Sequence, residues 1–174
     1  MSRFIDTVNE QIGNEFSASQ QYVAMAVWYD GETLPNLAGF FYKQAVEERN
    51  HAMMLVQYLL DAGETPVISG AAAPKTTFAD HAEPVKMALA QEKKVTSQIE
   101  NLVRLAREEG NLLAEHFLGW FLKEQLEEES SMTALLVTVE RAGTQILMVE
   151  TILGHVGKEG GGESDAPHAA GGAL

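Results

Sequence analysis

The sequence predicts an all-α fold: a four-helix bundle with a long crossover loop between helices two and three and a short fifth C-terminal helix. Three observations carry that prediction. Apolar residues recur every three or four positions through four long stretches, the period of a buried helix face. Pro35 and Pro84 stand at helix starts, and Gly63, Gly110 and Gly143 follow helix ends. A single internal run, Glu64 to about Ala82, keeps no period and holds Pro66, Gly70, Pro74, Thr76 and Thr77.

The first helix is predicted from Phe4 to Asp30, with Ile5, Val8, Ile12, Glu15, Ser19, Tyr22, Ala26 and Tyr29 in register. The second runs from Pro35 to about Ala62 and presents Leu37, Phe41, Gln44, Glu48, His51, Leu55 and Leu59 on one face. A helix of such length spans about 40 Å at 1.5 Å per residue. The aperiodic run that follows, roughly 19 residues, reaches about 60 Å when extended. It is long enough to cross the bundle and set helices two and three parallel, and loops of this length are uncommon in compact domains without such a task. The third helix, Glu83 to Glu109, aligns Val85, Ala88, Leu89, Glu92, Val95, Ile99, Leu102 and Ala106. The fourth, Leu112 to Arg141, aligns Leu113, Phe117, Phe121, Glu124 or Gln125, Glu128, Met132, Leu135 and Val139. Ile146 to Val156 forms a fifth helix too short to span the others. Residues 1–157 are thus expected to form one helical domain. Residues 158–174, rich in Gly with Pro167, are expected to form a flexible tail.

Composition narrows the function. At 174 residues with 45% hydrophobic side chains, the chain fills one core. The absence of cysteine excludes disulfides, thiolate zinc and iron-sulfur clusters, leaving Glu, Asp, His and Gln as metal ligands. A formal charge of -13 argues against nucleic acid and favours cations as clients. With no basic-then-apolar leader and no stretch of some eighteen apolar residues, a cytoplasmic protein with no membrane partner is expected.

The chemistry is expected at mid-length. Each long helix interrupts its apolar stripe with an acid: Glu15, Glu48, Glu92 and Glu128. One such Glu is ordinarily a boundary residue that reaches to water, but four at one level are not four accidents. Glu48 and His51, three residues apart, share a face, and Tyr22 lies within a turn or two. Buried carboxylates are costly unless paired or neutralised by a cation, so a carboxylate-rich metal site in the bundle interior is the physical alternative. Met53, Met54 and the aromatic residues are read as core.

The stretches Gln11 to Phe16, Glu47 to Ala52, Gln91 to Lys93 and Trp120 to Glu128 resemble the four helices of bacterial non-haem ferritins, a likeness covering about residues 4–157. Where a second Glu-x-x-His of the di-iron carboxylate bundles would lie, the chain has Gln125 and Glu128, as in ferritin and not bacterioferritin. Arg49 stands where bacterioferritins place the haem-ligating methionine, so no haem is expected.

The resemblance implies a ferroxidase centre. Glu15, Glu48 and His51 would hold one iron, and Glu48, Glu92 and Glu128 a second, with Glu48 as bridge and Gln125 alongside. Glu47, Glu124 and Glu127 resemble a third iron site. Tyr22 would be a hydrogen-bond partner and electron donor, and Trp120 would play a related part or simply pack. Fe(II) would be oxidised to Fe(III) by dioxygen or peroxide and stored as ferric mineral in a closed shell, a homo-oligomer of 24 subunits whose fifth helices line four-fold axes. Glu115 is a candidate for a three-fold pore, although Leu118 is apolar where animal ferritins place a second acid. The ligand set leaves open a di-iron oxidoreductase acting on peroxide or an organic substrate without storage. A DNA-shielding mini-ferritin would need ligands split across a dimer, whereas one chain supplies both halves here.

Overall fold

In a computed structural model of the chain, which describes residues 2–156 and 165–174, five helices follow one another: α1 (Arg3–Gly31), α2 (Pro35–Asp61), α3 (Glu83–Glu108), α4 (Leu112–Ala142) and α5 (Ile146–Val156). Their ends fall within a residue or two of those read from the sequence. Gly63, Gly110 and Gly143 take positive φ, 76°, 69° and 53°, at the stops after α2, α3 and α4, where a side chain would be strained. Hydroxyl and amide side chains cap the starts: Ser2 accepts from Ile5 N–H and Asn111 from Ala114 N–H. Asp80 accepts from the N–H groups of Ala82 and Glu83 where α3 begins.

The topology is set by the crossover. The loop runs back along α1, tied successively by Val67 N–H to Asn9 Oδ1, Ala72 N–H to Ser17 Oγ, and paired bonds between Lys75 and Gln21. Tyr29 then donates to the His81 carbonyl at 2.6 Å. Gly13 lets the loop approach, since a Cβ there would collide with Ser69 Oγ. The chain therefore re-enters the bundle at the C-terminal end of α1, and α3 ends beside the start of α1, where Glu109 accepts from Phe4 N–H at 3.0 Å. Helices α2 and α3 are parallel, as the loop length predicts.

Two apolar clusters fill the interior. One gathers Phe4, Val8, Ile12, Leu55, Leu59, Ile99, Leu102, Leu118 and Phe121. The other gathers Tyr22, Met25, Tyr29, Leu37, Phe41, Val85, Ala88, Met132 and Val139. Between them the buried polar residues of the four long helices meet. Leu113, expected to face in, is 80% exposed, and Ala114 and Leu118 take the buried positions at the start of α4. Glu115 is ion-paired with Arg107 at 2.7 Å, and Leu118 lies in the core.

α5 packs Ile146 and Val149 into the second cluster and caps α2 with one carboxylate. The start of α2 has no side-chain cap of its own, and Glu150 of α5 accepts from Asn36 N–H at 2.8 Å and Leu37 N–H at 2.7 Å, where the helix dipole favours an anion. Glu150→Ala should lower stability by about 1.5–3 kcal/mol, the range for hydrogen bonds to a charged group. Thermal unfolding of the variant checks this, and an unchanged melting temperature would mean that the cap contributes nothing. α5 presents Leu147, Met148 and Ile152 outward, while Leu153 packs against the bundle.

The tail differs in part from the flexible segment that its composition predicts. Residues 157–164 lie outside the described residues. Beyond them Ala166, Ala169 and Ala170 lie against the first cluster, Ala170 N–H donates to the Met53 carbonyl at 3.0 Å, and Leu174 N–H donates to Asn50 Oδ1 at 3.1 Å. Small alanines let the chain lie close to the bundle surface, where these contacts offset part of the entropy cost of ordering a glycine-rich segment. Among the described residues no helix is long and apolar enough to cross a membrane.

Candidate metal centre

Each of the four long helices contributes its mid-length acid to the layer between the two apolar clusters. Glu15, Glu48, His51, Glu92 and Glu128 are all buried, as are Gln11, Gln44 and Gln125. The helical periods that bury the neighbouring apolar residues carry these polar side chains inward with them.

The structure closes one group tightly. One donor atom each from Glu15, Glu48 and His51 lies within 4.8 Å of the others, with His51 Nδ1 at 3.5 Å from Glu48 Oε2. Glu15 Oε2 and Glu48 Oε2 are buried and have no hydrogen-bond partner. Such orphaned oxygens cost about 1–3 kcal/mol each, more when charged, unless something binds them. Two carboxylates and an imidazole suit iron in an oxygen and nitrogen site. The ring edges of Trp120 and Phe121 approach His51 at 5.7 Å between centroids and hold the imidazole in place.

Glu92 and Glu128 face Glu48 across the layer. Tyr22 donates its hydroxyl hydrogen to Glu92, and Gln125 Nε2 donates to Glu92 Oε2 at 3.2 Å. Gln44 Nε2 donates to both Glu47 and Glu128. Neither the trio Glu48, Glu92, Glu128 nor the trio Glu47, Glu124, Glu127 closes to within 4.8 Å. Glu47 and Glu124 are half-buried and Glu127 is exposed.

Burial is the first cause of the electrostatics, and mutual repulsion the next. Burial raises the Glu15 carboxyl well above the usual range, and the charge of Glu48 adds to it. Glu48 is raised by burial, then by Glu92 and Glu128. Glu92 is raised by burial, against the hydrogen bonds from Tyr22 and Gln125. Glu128 is pushed up to about 8 by burial, then by Glu92 and Glu47. Burial and Glu92 also raise the Tyr22 hydroxyl, keeping it a donor. These carboxylates cannot all ionise side by side at neutral pH unless cations join them.

The sequence placed Gln44 on the inward face of α2 and Gln125 beside the acids, but showed neither the bonds these amides make nor the parts of Gln11 and Thr96. Gln11 donates to Glu15 at 2.8 Å, Gln44 bonds two acids, and Thr96 links the Glu92 carbonyl to Glu129 at 2.6 Å. Their signal was one of spacing: Gln11, Gln44 and Thr96 each stand four residues from an inward-facing Glu on the same helix.

A ferritin-like domain model matches residues 5–142. The chain is 47% identical to the ferritin BfrB of Mycolicibacterium smegmatis over 173 residues, which cover 99% of this chain and 96% of the relative. It is 39% identical to a bacterial non-heme ferritin of Staphylococcus epidermidis over 136 residues, covering 78% and 82%. The crystal structure of an open pore ferritin from the hyperthermophilic archaeon Archaeoglobus fulgidus superposes with a TM-score of 0.85 at 24% identity, covering 88% and 95% of the two chains. Matched along nearly its full length by such relatives, and carrying buried acids on all four long helices, the chain belongs to the ferritin family of iron-storage proteins.

Proposed function

We propose that this ferritin oxidises Fe(II) to Fe(III) at the polar layer of each bundle and stores the product as ferric mineral inside a shell built from copies of the chain. The observation that carries the reading is the pair of buried oxygens without a hydrogen-bond partner, Glu15 Oε2 and Glu48 Oε2, gathered with His51. Iron is the substrate. Glu15 and His51 would bind one ion and Glu92 and Glu128 another, with Glu48 reaching both. Hard oxygen ligands stabilise Fe(III) over Fe(II), so each ion gives up one electron, and the pair reduces dioxygen to peroxide or peroxide to water. Tyr22 holds Glu92 in place, and Gln125 does so from the other side. Gln44 ties Glu128 to Glu47, and the outer acids Glu47, Glu124 and Glu127 would take the ion leaving the pair. No haem is expected, a net charge of -13 disfavours nucleic acid as a partner, and a cytoplasmic location is expected as for other ferritins.

Fe(II) added to the apo protein in air tests this. Ferric absorbance should grow rapidly, and the iron should then co-migrate with protein on gel filtration as a large particle. Oxidation no faster than in buffer, or ferric iron precipitating apart from the protein, would contradict it.

Storage requires a closed compartment, which one bundle does not enclose, and the outward apolar residues Leu147, Met148 and Ile152 of α5 are suited to contact between copies. Ile152→Glu is expected to shift the assembly, the expected 24-mer, toward small oligomers in light scattering while the isolated bundle still oxidises Fe(II). Shells of unchanged size would remove α5 from the contact.

A further inference from the structure

We propose that Gln11 is a positioning residue of the metal centre, its side-chain amide clamping Glu15 so that one carboxylate oxygen faces Glu48 and His51 as a ligand. The inference rests on the reading of Glu15, Glu48 and His51 as a cation site. Gln11 is 2% exposed, on the same helix as Glu15 and one turn before it. Its Nε2 donates to Glu15 Oε1 at 2.8 Å, and its Oε1 accepts from Asn14 Nδ2 at 3.3 Å. Asn14 thus fixes which end of the amide faces Glu15. With Oε1 held, the oxygen left without a partner is Oε2, the one free to meet a cation.

The choice of an amide has a physical reason. A lysine or arginine here would neutralise the carboxylate and compete with the cation for it, and a second carboxylate would repel it. A neutral donor fixes the geometry and leaves the charge available. The clamp is also placed where it is needed. A groove of about 270 Å3 between α1 and α3 is lined by Gln11 together with Asn14, Lys94 and Gln98 among others. Without the amide, Glu15 could turn toward water in that groove. The arrangement is local to α1, since positions three and four apart meet on one helix face.

Anaerobic titration of the apo protein with Co(II), followed by calorimetry and by visible absorption, tests the clamp. Glu15→Ala identifies the binding step that depends on Glu15. Gln11→Met preserves volume and removes the donor. It should weaken that step about 10- to 100-fold, the usual effect of losing a group that orients a ligand, and change the shape of the Co(II) band. Asn14→Ala, which only frees the amide to rotate, should give a smaller loss in the same direction. A merely structural Gln11 would lower the melting temperature and leave affinity and spectrum as in the wild type, and that result would overturn the proposal. If Gln11→Met fails to fold, unchanged Co(II) binding by Asn14→Ala overturns it instead. If wild type and Glu15→Ala bind Co(II) alike, the cation-site reading fails and the clamp falls with it.

Discussion

Glu48→Ala is expected to slow Fe(II) oxidation by at least about 100-fold while the helical bundle stays folded. Loss of a group that merely orients a ligand costs about 10- to 100-fold in affinity, and Glu48 is placed to be more than that. Its carboxylate closes with Glu15 and His51 on one side and is repelled by Glu92 and Glu128 on the other. On the proposed reading, removing it would take a ligand from both iron positions at once and leave the other acids to repel one another. Stopped-flow oxidation kinetics, with circular dichroism as the check on folding, decides the point. Oxidation at the wild-type rate would mean that the chemistry occurs elsewhere.

The second large effect concerns the apo protein, in which the same acids oppose folding. Glu128 is held at about 8 in the folded chain, against about 4.3 for an exposed glutamate, and Glu15, Glu48 and Glu92 shift in the same direction. A raised folded value means that the folded chain binds more protons than the unfolded one. The stabilisation is therefore fully present below about pH 4 and is lost as pH rises through about 8. The contribution of these acids should lower the apo melting temperature by several degrees between mildly acidic and mildly alkaline buffer. Glu48→Gln and Glu92→Gln should be neutral or stabilising at the alkaline end, as for other buried charges replaced by neutral groups of the same size. Differential scanning calorimetry of metal-free protein across that range measures both. A melting temperature that rises with pH, or falls in both variants, would show the acids to be satisfied structural hydrogen-bonders.

Much of this was legible in the sequence because it depends on local period and spacing. The helix ends follow from Pro35, Gly63, Pro84 and Gly110, and the parallel setting of α2 and α3 follows from loop length against helix length. The inward acids could be found because each breaks an apolar stripe. Leu113 was misplaced because a stripe extrapolated from mid-helix drifts around the axis by its end, and Ala114, too small to mark a face, takes the buried position. Glu150 could not be recognised as the cap of α2 from spacing, since its two partners lie more than a hundred residues away. Nor could the docked tail, whose alanines carry no pattern and whose contacts with Met53 and Asn50 are set by the assembled bundle. Gln11 reads as an ordinary polar residue, and Gln44 only as a polar position on the inward face of α2, until the acids beside them are placed.

The most direct measurement of the central claim is an anaerobic Fe(II) titration of the apo protein followed by admission of air. The account predicts that a pair of Fe(II) ions binds tightly per chain, that both are oxidised rapidly once air enters, and that both steps are lost in Glu48→Ala. Fe(II) binding and oxidation that proceed equally in wild type and Glu48→Ala would contradict it.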